Sequence, residues 1–422
     1  MRVGVIGLGY VGLPLALEFC RGGLNVVGID VDAEKVARIA QGETIVLDVG
    51  SDALRESLEK GLLLVTTDFS VLRDVDAVCV CVPTPLTKTM DPDISYIVAA
   101  VDEVAKYLHS GMLVVLESTT YPGTTDELVL PRLEETGLKA GVDFFLAFSP
   151  ERVDPGNPTW HTRNTPKIIG GVTPACTKRA QALYSHAVET LVPVSSPSAA
   201  EMVKLLENTY RAINIGLVNE LAIMCRHLNV DVWEVVEAAK TKPFGFMAFY
   251  PGPGLGGHCI PVDPLYLSWK MKTMQYTARF IELATAINSS MPEYVVTQIA
   301  DALNDARKSV NGSKILVMGV AYKQDVNDTR ESPAIDIIGL LQKKGADVSY
   351  ADPYVPELER GGKPMKSVSN AASYAEYDCV VVCTAHKSFD YDRLVREARL
   401  VYDARNATKD HAPAPTCTVV KL

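Results

Sequence analysis

Apolar residues in the first part of the chain fall into short runs separated by stretches of helical character. The apolar runs cover residues 3–6, 25–30, 77–82, 112–117 and 144–148, and the helical stretches include 13–21 and 94–108. Strands that alternate with helices predict a parallel, doubly wound sheet.

The pattern changes near residue 198, where long helical stretches replace the alternation. The SAAE sequence of residues 198–201 is a capping box, which predicts the start of a helix that runs to about residue 229. In this helix Met202, Leu205, Leu206 and Ile213 are available to the core. A second helix-rich stretch covers residues 277–310. The region can be a connecting, dimer-forming layer or simply a helical subdomain.

The strand–helix alternation resumes at Ser313. Apolar runs cover residues 314–319, 347–352, 379–384 and 400–403, and a helix is predicted over 333–344. The Pro-rich residues after Asp410 are expected to fray. We therefore predict an α/β fold in which two Rossmann-like, doubly wound domains are joined by a long-helix central domain. The predicted domains are 1–197, 198–310 and 311–422.

Composition narrows the class of protein. The 422 residues are 47% hydrophobic and 22% charged, as in soluble globular proteins, and the net charge of −10 argues against a nucleic-acid surface. No apolar run is long enough to span a membrane, and the N-terminus is a strand rather than a signal peptide. Nine scattered cysteines without CxxC pairs predict a reduced, cytoplasmic protein. Because His and Cys do not cluster at ligand spacing, no metal site is predicted.

The segment GLGYVG predicts a dinucleotide site. It follows a predicted strand, opens a predicted helix and precedes Asp30 by about twenty residues. Gly7 permits the tight turn, Gly9 lets a pyrophosphate approach the backbone, and Gly12 lets the helix pack closely. Asp30 can accept hydrogen bonds from a ribose diol and would repel a 2′-phosphate, which favours NAD over NADP. The alternative is a tight turn that binds no ligand.

A second chemically informative segment is GGHCIPVD, residues 256–263. Cys259 follows two glycines, which allow close approach of a ligand to the backbone, and Asp263 can position water or neighbouring groups. Cys259 is therefore a candidate nucleophile, although most cysteines are structural.

Polar residues on one helix and at two strand ends add candidate chemistry. Lys204, Asn208 and Arg211 are spaced to share one helix face, where Lys204 can stabilise an oxyanion; the alternative is a solvated face. Thr119 and Glu151 follow apolar strands, at the edge where ligands bind in open parallel sheets. Each can handle water, or equally serve as a helix cap or ion-pair partner.

Six segments in this order resemble the UDP-glucose/UDP-mannuronate dehydrogenase family, over essentially the whole chain. They are GLGYVG, ESTTYPGTT, FSPER, KLLENTYRAINI, PGPGLGGHCIPVDP and GVAYKQDVNDTRESP. The resemblance implies an N-terminal NAD domain, a helical domain that forms a homodimer, and a C-terminal domain that binds the nucleotide sugar. The cofactor would be NAD and the partner a UDP-sugar, with no nucleic acid or membrane involved.

The family resemblance also implies a four-electron oxidation. The alcohol loses a hydride to NAD, the aldehyde is captured by the thiolate of Cys259, the thiohemiacetal loses a second hydride, and water releases the acid from the thioester. Lys204 and Asn208 would stabilise the oxyanion and substrate. Asp263, Glu151 and Thr119 would handle protons and water.

The resemblance assigns further residues to ligands. The predicted cofactor site comprises Gly7, Gly9, Tyr10, Val11, Gly12, Asp30, Lys35, Thr84, Thr119 and Arg330. The predicted substrate site comprises Glu151, Arg152, Lys204, Asn208, Arg211, Tyr250, Gly252, Gly256 and Lys323. The loop around residues 250–254 can come from one subunit and complete the site of the other. The alternative for Lys323 and Arg330 is an ordinary charged surface loop.

The substrate prediction rests on family resemblance alone. UDP-glucose members commonly have Lys immediately before the motif Asp, where this chain has Val262. PGPGLGGHCIPVDP and SPERVDPGNP are closer to members that act on UDP-N-acetylhexosamines. We expect UDP-N-acetylglucosamine first, with UDP-N-acetylmannosamine or UDP-glucose as alternatives.

Two other functions stay open. A simple two-electron dehydrogenase would explain residues 1–310 but not Cys259 or the second Rossmann-like unit. An NAD-binding regulatory protein would bind NAD without turnover and would tolerate Cys259→Ser.

Overall fold

The first compact unit of the computed structural model comprises Met1–Glu207 and Leu265–Thr277. The structure describes residues 1–44, 46, 49–87, 89–154, 156–360, 363–368 and 373–422. Eight strands form the sheet of this unit in the order β3-β2-β1-β4-β5-β6-β7-β8, and all neighbours are parallel except β6 and β7. The strands are β1 (Arg2–Ile6), β2 (Asn25–Ile29), β3 (Leu63–Thr66), β4 (Ala77–Val80), β5 (Leu113–Leu116), β6 (Phe145–Phe148), β7 (Lys167–Gly171) and β8 (Leu191–Val194).

Helices cover both faces of this sheet. Along β4, Cys79 belongs to one buried apolar cluster, whereas Val78 and Val80 belong to another, because successive side chains point to opposite faces. The helices are α1 (Gly12–Arg21), α2 (Ala33–Ala40), α3 (Ser51–Glu59), α4 (Ser95–Tyr107), α5 (Leu130–Glu134) and α6 (Pro174–Tyr184), with a 3-10 turn at Phe69–Asp74 and a π-helical turn at Thr125–Val129.

The second unit comprises Asn208–Pro264 and Ala278–Leu422. Its parallel sheet has the order β10-β9-β13-β14-β15, and β11 pairs with β12 in an antiparallel hairpin. Two helices, α7 (Pro197–His227) and α9 (Asp263–Thr273), contribute residues to both units. The other elements are α8 (Val232–Lys240), α10 (Arg279–Asp305), β9 (Lys314–Met318), α11 (Pro333–Lys343), β10 (Asp347–Ala351), β11 (Glu357–Arg360), β12 (Lys363–Lys366), a 3-10 turn (Tyr374–Glu376), β13 (Cys379–Val382), α12 (Tyr391–Glu397), β14 (Leu400–Asp403) and β15 (Thr418–Lys421).

The fold class predicted from the alternation of strands and helices is confirmed. Each of the two sheets is parallel apart from the β6–β7 pair and carries helices, and the long helices lie between the two sheets in sequence. The domain boundaries at residues 197 and 310 stay predictions. Six strands were not predicted, namely β3, β7, β8, β11, β12 and β15, and the last of them was missed because its segment was expected to fray. The segment after Asp410 ends in β15, which pairs with β14, and the carbonyl oxygen of the buried Leu422 accepts a hydrogen bond from Trp233 Nε1 at 3.0 Å.

The start of α7 also differs from expectation. The helix begins one residue before the predicted cap, and the hydroxyl of Ser196 accepts the N–H of Ala199 at 3.1 Å. Glu201 does not close a capping box, because its carboxylate binds the segment around Gly123 and Thr125 instead. The expectation that Met202 and Leu206 serve the core was wrong: the exposed fractions of these residues are 38% and 59%.

In each of the two sheets, an aspartate directly follows the second strand along the chain. Asp30 follows β2 and accepts the N–H of Leu8 in the turn after β1. Asp352 follows β10 and accepts the N–H groups of Val320 and Ala321 in the turn after β9. The two Rossmann-like units therefore use the same device to fix their first turn.

Within the part of the chain that the structure describes, no helix combines the length and apolarity needed to cross a membrane. Across the same residues, no three His, Cys, Asp or Glu side chains gather as ligands for a metal ion.

Candidate active site

In the glycine turn between β1 and α1, two glycines have no space for a Cβ atom and one has open space there. A Cβ atom at Gly12 would lie 1.8 Å from the Gly7 carbonyl oxygen. One at Gly7, where φ is +90°, would lie 2.5 Å from the Cys81 carbonyl oxygen. At Gly9, no described atom comes within 4 Å of that position. The backbone at Gly9 is thus open to a group such as pyrophosphate, at the N-terminus of α1, where Tyr10 is exposed and Val11 half-buried.

Asp30 is buried, and its carboxylate already holds the turn. It accepts the N–H of Leu8 at 2.8 Å and of Asp32 at 3.0 Å, and it accepts Lys35 Nζ at 3.0 Å. A carboxylate can accept about four hydrogen bonds, so room remains for one ribose hydroxyl. Lys35 therefore belongs to the surroundings of the predicted cofactor site through its hydrogen bond with Asp30.

Glu201 anchors the segment that carries Thr119. Its carboxylate accepts the N–H of Gly123 at 2.6 Å, and the N–H and hydroxyl of Thr125 at 3.0 and 2.7 Å. Thr119 itself is half-buried. Thr84 is buried, and its carbonyl oxygen accepts a hydrogen bond from the Tyr266 hydroxyl. These contacts fix the backbone at Thr84 and in the segment that follows Thr119, while the ligand contacts of both threonines stay predictions.

Glu151 follows β6 and lies against a buried cation. One carboxylate oxygen accepts the N–H groups of Arg152 and Val153 at 2.7 and 2.8 Å, and the other lies 3.5 Å from Lys167 Nζ. Burial alone would raise the pKa of this carboxyl group. The charge of Lys167, the two N–H groups and the charge of Lys204 outweigh burial and lower the pKa of Glu151.

Lys167 belongs to a group of buried polar residues of which the sequence analysis identified only Glu151. We call Glu117, Glu151, Lys167 and Tyr184 the buried lysine cluster. Lys167 Nζ donates to Glu117 at 2.7 Å, the Tyr184 hydroxyl donates to the other oxygen of Glu117, and Nζ lies 5.1 Å above the Tyr184 ring. A lysine at the start of the apolar strand KIIGG was the only sequence signal.

Arg152 is held by the protein itself. Its guanidinium forms two hydrogen bonds with Glu207, at 3.2 and 2.5 Å, and a third with the Pro166 carbonyl oxygen at 2.7 Å. Most donors of Arg152 are therefore occupied, and its predicted contact with substrate stays a prediction.

The solvent exposure of the three residues on the predicted polar face of α7 increases along the helix. Lys204 is buried, Asn208 is half-buried and Arg211 is exposed. Burial of Lys204 argues against the alternative that all three form a solvated face.

Cys259 differs from the other eight cysteines, because it is exposed whereas they are buried. It lies just upstream of α9, and its carbonyl oxygen accepts the N–H groups of Val262 and Asp263 at 3.1 and 2.7 Å. The Asp263 side chain is buried and accepts a hydrogen bond from Asn208 Nδ2 at 2.5 Å. The loop that presents the thiol is thus tied to both α9 and α7.

The glycines before Cys259 are packed by the protein rather than left open for a ligand, which corrects the reason expected for them. A Cβ at Gly256 would lie 2.9 Å from the Glu331 carbonyl oxygen. One at Gly257, where φ is +87°, would lie 2.7 Å from the Tyr322 ring. The segment from Tyr322 to Glu331 therefore supports the cysteine loop directly.

Arg330 and Lys323 lie in this supporting segment. The Arg330 guanidinium binds both carboxylate oxygens of Asp328, at distances of 2.6 to 3.0 Å. The backbone carbonyl oxygen of Arg330 accepts the N–H of Gly257 at 3.0 Å. Lys323 is half-buried. Burial and the charge of Arg330 lower the pKa of His258, against the opposing effect of Asp328, so His258 is favoured in its neutral form.

Tyr250 and Gly252 are held by neighbouring side chains. The Tyr250 ring stacks on Trp233, and its hydroxyl donates to Glu237 at 2.7 Å. The N–H of Gly252 donates to Asn219 at 2.9 Å. A Cβ at Gly252 would lie 2.5 Å from the guanidinium of Arg405, a residue that the sequence analysis missed although it follows a strand end.

Models of three consecutive domains of one family match the chain. They are the NAD binding domain of the UDP-glucose/GDP-mannose dehydrogenase family at residues 1–188, its central domain at 198–290 and its UDP binding domain at 316–410.

Individual relatives match over almost the whole chain. UDP-N-acetyl-D-mannosamine dehydrogenase from Pyrococcus horikoshii is 36% identical over 97% of this chain and 96% of its own length. UDP-N-acetyl-D-glucosamine 6-dehydrogenase from Pseudomonas aeruginosa is 36% identical over 92% and 91%. The solved structure of the Pyrococcus horikoshii UDP-D-ManNAc dehydrogenase superposes with a TM-score of 0.90 and 35% identity, covering 100% of this chain and 99% of that one.

Proposed function

This chain belongs to the UDP-glucose/GDP-mannose dehydrogenase family and is an NAD-dependent nucleotide-sugar dehydrogenase, and we propose that it oxidises a UDP-N-acetylhexosamine at C6 to the uronic acid. The reaction removes four electrons, and the first sugar to test is UDP-N-acetylglucosamine. The observation that carries the proposal is the exposed thiol of Cys259, held on a loop that Asp263 and Asn208 fix.

The thiol provides the covalent step that a four-electron oxidation needs. The Cys259 thiolate adds to the C6 aldehyde, so a carbon–sulfur bond forms and the π bond of the carbonyl breaks. The resulting alkoxide takes a proton from water and becomes a hydroxyl group. Loss of hydride from C6 and of the hydroxyl proton then gives a thioester. Water attacks the thioester carbonyl, the carbon–sulfur bond breaks, and the acid leaves while Cys259 is regenerated.

Other residues have supporting roles in this proposal. Lys204 and Asn208, one turn apart on α7, stabilise the oxyanion that forms at C6. Glu151, whose pKa is lowered, is the carboxylate that takes a proton from the attacking water, and Thr119 orients that water. Asp263 keeps Asn208 and the cysteine loop in place.

The turn after β1 fits the cofactor. The open backbone at Gly9, the α1 N-terminus and the remaining acceptor position of Asp30 suit a pyrophosphate and a ribose diol. The hydride acceptor of each oxidation would be supplied by a separate bound NAD, so two NADH would form per sugar.

The stoichiometry of NADH tests the proposal. The purified protein is mixed with NAD and each of several UDP-sugars, and NADH and uronate are counted against sugar consumed. Two NADH per sugar with uronate as product are expected. One NADH per sugar would instead indicate the simple dehydrogenase, and no NADH with any UDP-sugar would leave only the regulatory NAD-binding protein.

A second candidate sugar is UDP-N-acetylmannosamine. It is favoured by the relative from Pyrococcus horikoshii, which resembles this chain as strongly as the glucosamine enzyme does. Equal concentrations of both sugars and of UDP-glucose are compared by kcat/KM, and a higher value for UDP-N-acetylmannosamine would replace our first choice.

We also propose that the protein is a homodimer, supported by an apolar stripe on α7. The stripe residues recur at intervals of four or seven, so they share one helix face, and all are exposed: Met202, Leu206, Tyr210, Leu217 and Met224. Exposed Phe244, Phe246 and Met247 add apolar surface near residue 250. Surface of this kind is rarely left in contact with water.

Light scattering after gel filtration tests the dimer. Leu217→Glu, in the middle of the stripe, should give monomer, whereas Val142→Glu changes an exposed apolar residue away from α7 and should leave the dimer intact. A monomeric wild-type protein with full activity would refute the proposal.

A further inference from the structure

One buried lysine serves two carboxylates in the first unit. Lys167 opens β7, Glu117 follows β5 and Glu151 follows β6, so the sheet brings them together. Lys167 Nζ lies 2.7 Å from Glu117 and 3.5 Å from Glu151. Its side chain is only 5% exposed. An ammonium group buried to this extent is stabilised only where it is paired.

The two carboxylates differ in what they can do. Both oxygens of Glu117 are occupied, by Lys167 and by the Tyr184 hydroxyl, and its side chain is fully buried. Glu151 keeps 15% of its side chain exposed. The local environments push the pKa values apart, because burial raises the pKa of Glu117 while Lys167 and the N–H groups lower that of Glu151 against the effect of burial. Glu117 is therefore suited to holding Lys167 in place, and Glu151 is suited to accepting a proton from water.

No other described group near Glu151 lowers the pKa of its carboxyl group as much as Lys167 does. Lys204 on α7 also lowers the pKa of Glu151, but its effect is smaller. Glu117, which follows β5, carries charge of the same sign as Glu151. The buried thiol of Cys81, just after β4, also interacts with Glu151, but burial first and then Glu117 raise the pKa of Cys81 and keep it neutral.

We propose that Lys167 is a positioning residue, which keeps the Glu151 carboxylate ionised and oriented toward the water that releases the acid product. Glu117 and Tyr184 fix the lysine at the base of this arrangement. The inference rests on the proposed function, because it assigns Lys167 to the hydrolysis step of that reaction. Lys167 itself contacts neither sugar nor cofactor in this proposal.

The pH profile of uronate formation tests the proposal. Without Lys167, the pKa of Glu151 rises, so the acidic limb of kcat should move to higher pH by about 1 to 3 units. Lys167→Met is compared with Lys167→Arg, which keeps the charge and should restore most of the wild-type profile. Lys178→Met makes the same chemical change at an exposed position of α6 and should leave the profile unchanged.

Lys167→Met leaves Glu117 buried without a cation and can impair folding. The double variant Lys167→Met/Glu117→Gln removes both charges of that pair and still leaves Glu151 without Lys167. Circular dichroism and thermal unfolding establish that each variant is folded. A folded double variant should still show an upward shift of the acidic limb, smaller than that of Lys167→Met because the like charge of Glu117 is lost as well.

Three results would overturn the proposal. The first is an acidic limb that stays at the wild-type pH in a folded variant without Lys167. The second is an equal loss of kcat at every pH in Lys167→Met and Lys167→Arg, which would show a purely structural role. The third is a wild-type protein that does not form two NADH per sugar, which would remove the proposed function as well. Two NADH with an unmoved limb would remove only the inference.

Discussion

The side-chain amide of Asn208 donates a hydrogen bond to the buried carboxylate of Asp263 at 2.5 Å. Asp263 in turn donates its N–H to the carbonyl oxygen of Cys259 at 2.7 Å. These two bonds connect the middle of α7 to the start of α9 and to the loop that carries the exposed thiol. The position of the thiol therefore depends on residues that are distant in sequence.

Loss of this connection should lower activity. In Asn208→Asp a second carboxylate faces Asp263, so the loop should shift and kcat/KM should fall by roughly 10²-fold. Steady-state kinetics measures the effect, and circular dichroism checks the fold. Asn214, in the same helix, donates a hydrogen bond only to the Tyr210 carbonyl oxygen one turn away, so Asn214→Asp should change kcat/KM little. Comparable losses in both variants would contradict the role of Asn208.

Cys259 should react with alkylating agents before the other cysteines do, because it alone among them is exposed. We expect one equivalent of iodoacetamide to be incorporated quickly, with parallel loss of uronate formation. Peptide mass spectrometry locates the label. Cys259→Ser should abolish rapid labelling, and Cys417→Ser should retain it. Rapid labelling elsewhere, or Cys259→Ser that still forms two NADH per sugar, would be inconsistent with a covalent role.

Two glycines of one turn should respond differently to alanine. Gly12→Ala forces a Cβ to within 1.8 Å of the Gly7 oxygen, so the free energy of unfolding should fall by about 1–3 kcal/mol. Gly9→Ala meets open space, so stability should change by less than about 0.5 kcal/mol, while NAD binding weakens. Chemical unfolding and NAD titration separate the two effects. Unchanged NAD affinity in Gly9→Ala would argue against a pyrophosphate at this position.

The C-terminal strand should contribute to stability. Deletion of residues 412–422 removes β15 and the bond from Trp233 to Leu422, and it exposes the edge of β14. The midpoint of thermal unfolding should fall. Because Lys421 and Leu422 lie at the end of this strand, deletion of these two residues alone should have a smaller effect. A full deletion that unfolds like the wild type would show that the pairing adds little.

The ionisation of Asp352 should make the free energy of unfolding depend on pH in the acid range. Burial alone would raise its pKa, but His386 and the N–H groups of Tyr354 and Ala321 lower it below the ordinary value of 3.8. A depressed pKa means that the contribution to stability is complete above pH 3.8 and is lost as the pH falls through the lowered value.

Asp352→Asn should therefore reduce the free energy of unfolding at neutral pH by about 3 kcal/mol. The difference from the wild type should shrink in acid, which urea titrations between neutral and acid pH measure. Asp347→Asn, at an exposed position of β10, is the control. A difference that is constant over this pH range would exclude the role of the Asp352 charge.

Local sequence patterns were sufficient for the alternation of strands and helices, but they did not reveal β3, β7, β8, β11, β12 or β15. The period of apolar residues and the glycine turn act between near neighbours, so β1, α1 and β2 could be placed from a few residues each. The same holds for the spacing of Lys204 and Asn208 on α7, which depends only on helix geometry. Motif resemblance then supplied Cys259 and Glu151 as candidates.

Tertiary structure decided what surrounds these groups. Lys167 reaches Glu117 and Glu151 only because β5, β6 and β7 are neighbours in the sheet, and no spacing along the chain reports that pairing. The exposure of Leu206 and the pairing of β15 were also missed, because burial depends on which distant elements cover a residue. Sequence by itself thus determined most of the inner strands, the long helices and the candidate chemical groups. Folding determined their partners, charges and exposure, since these arise from contacts between residues far apart in the chain.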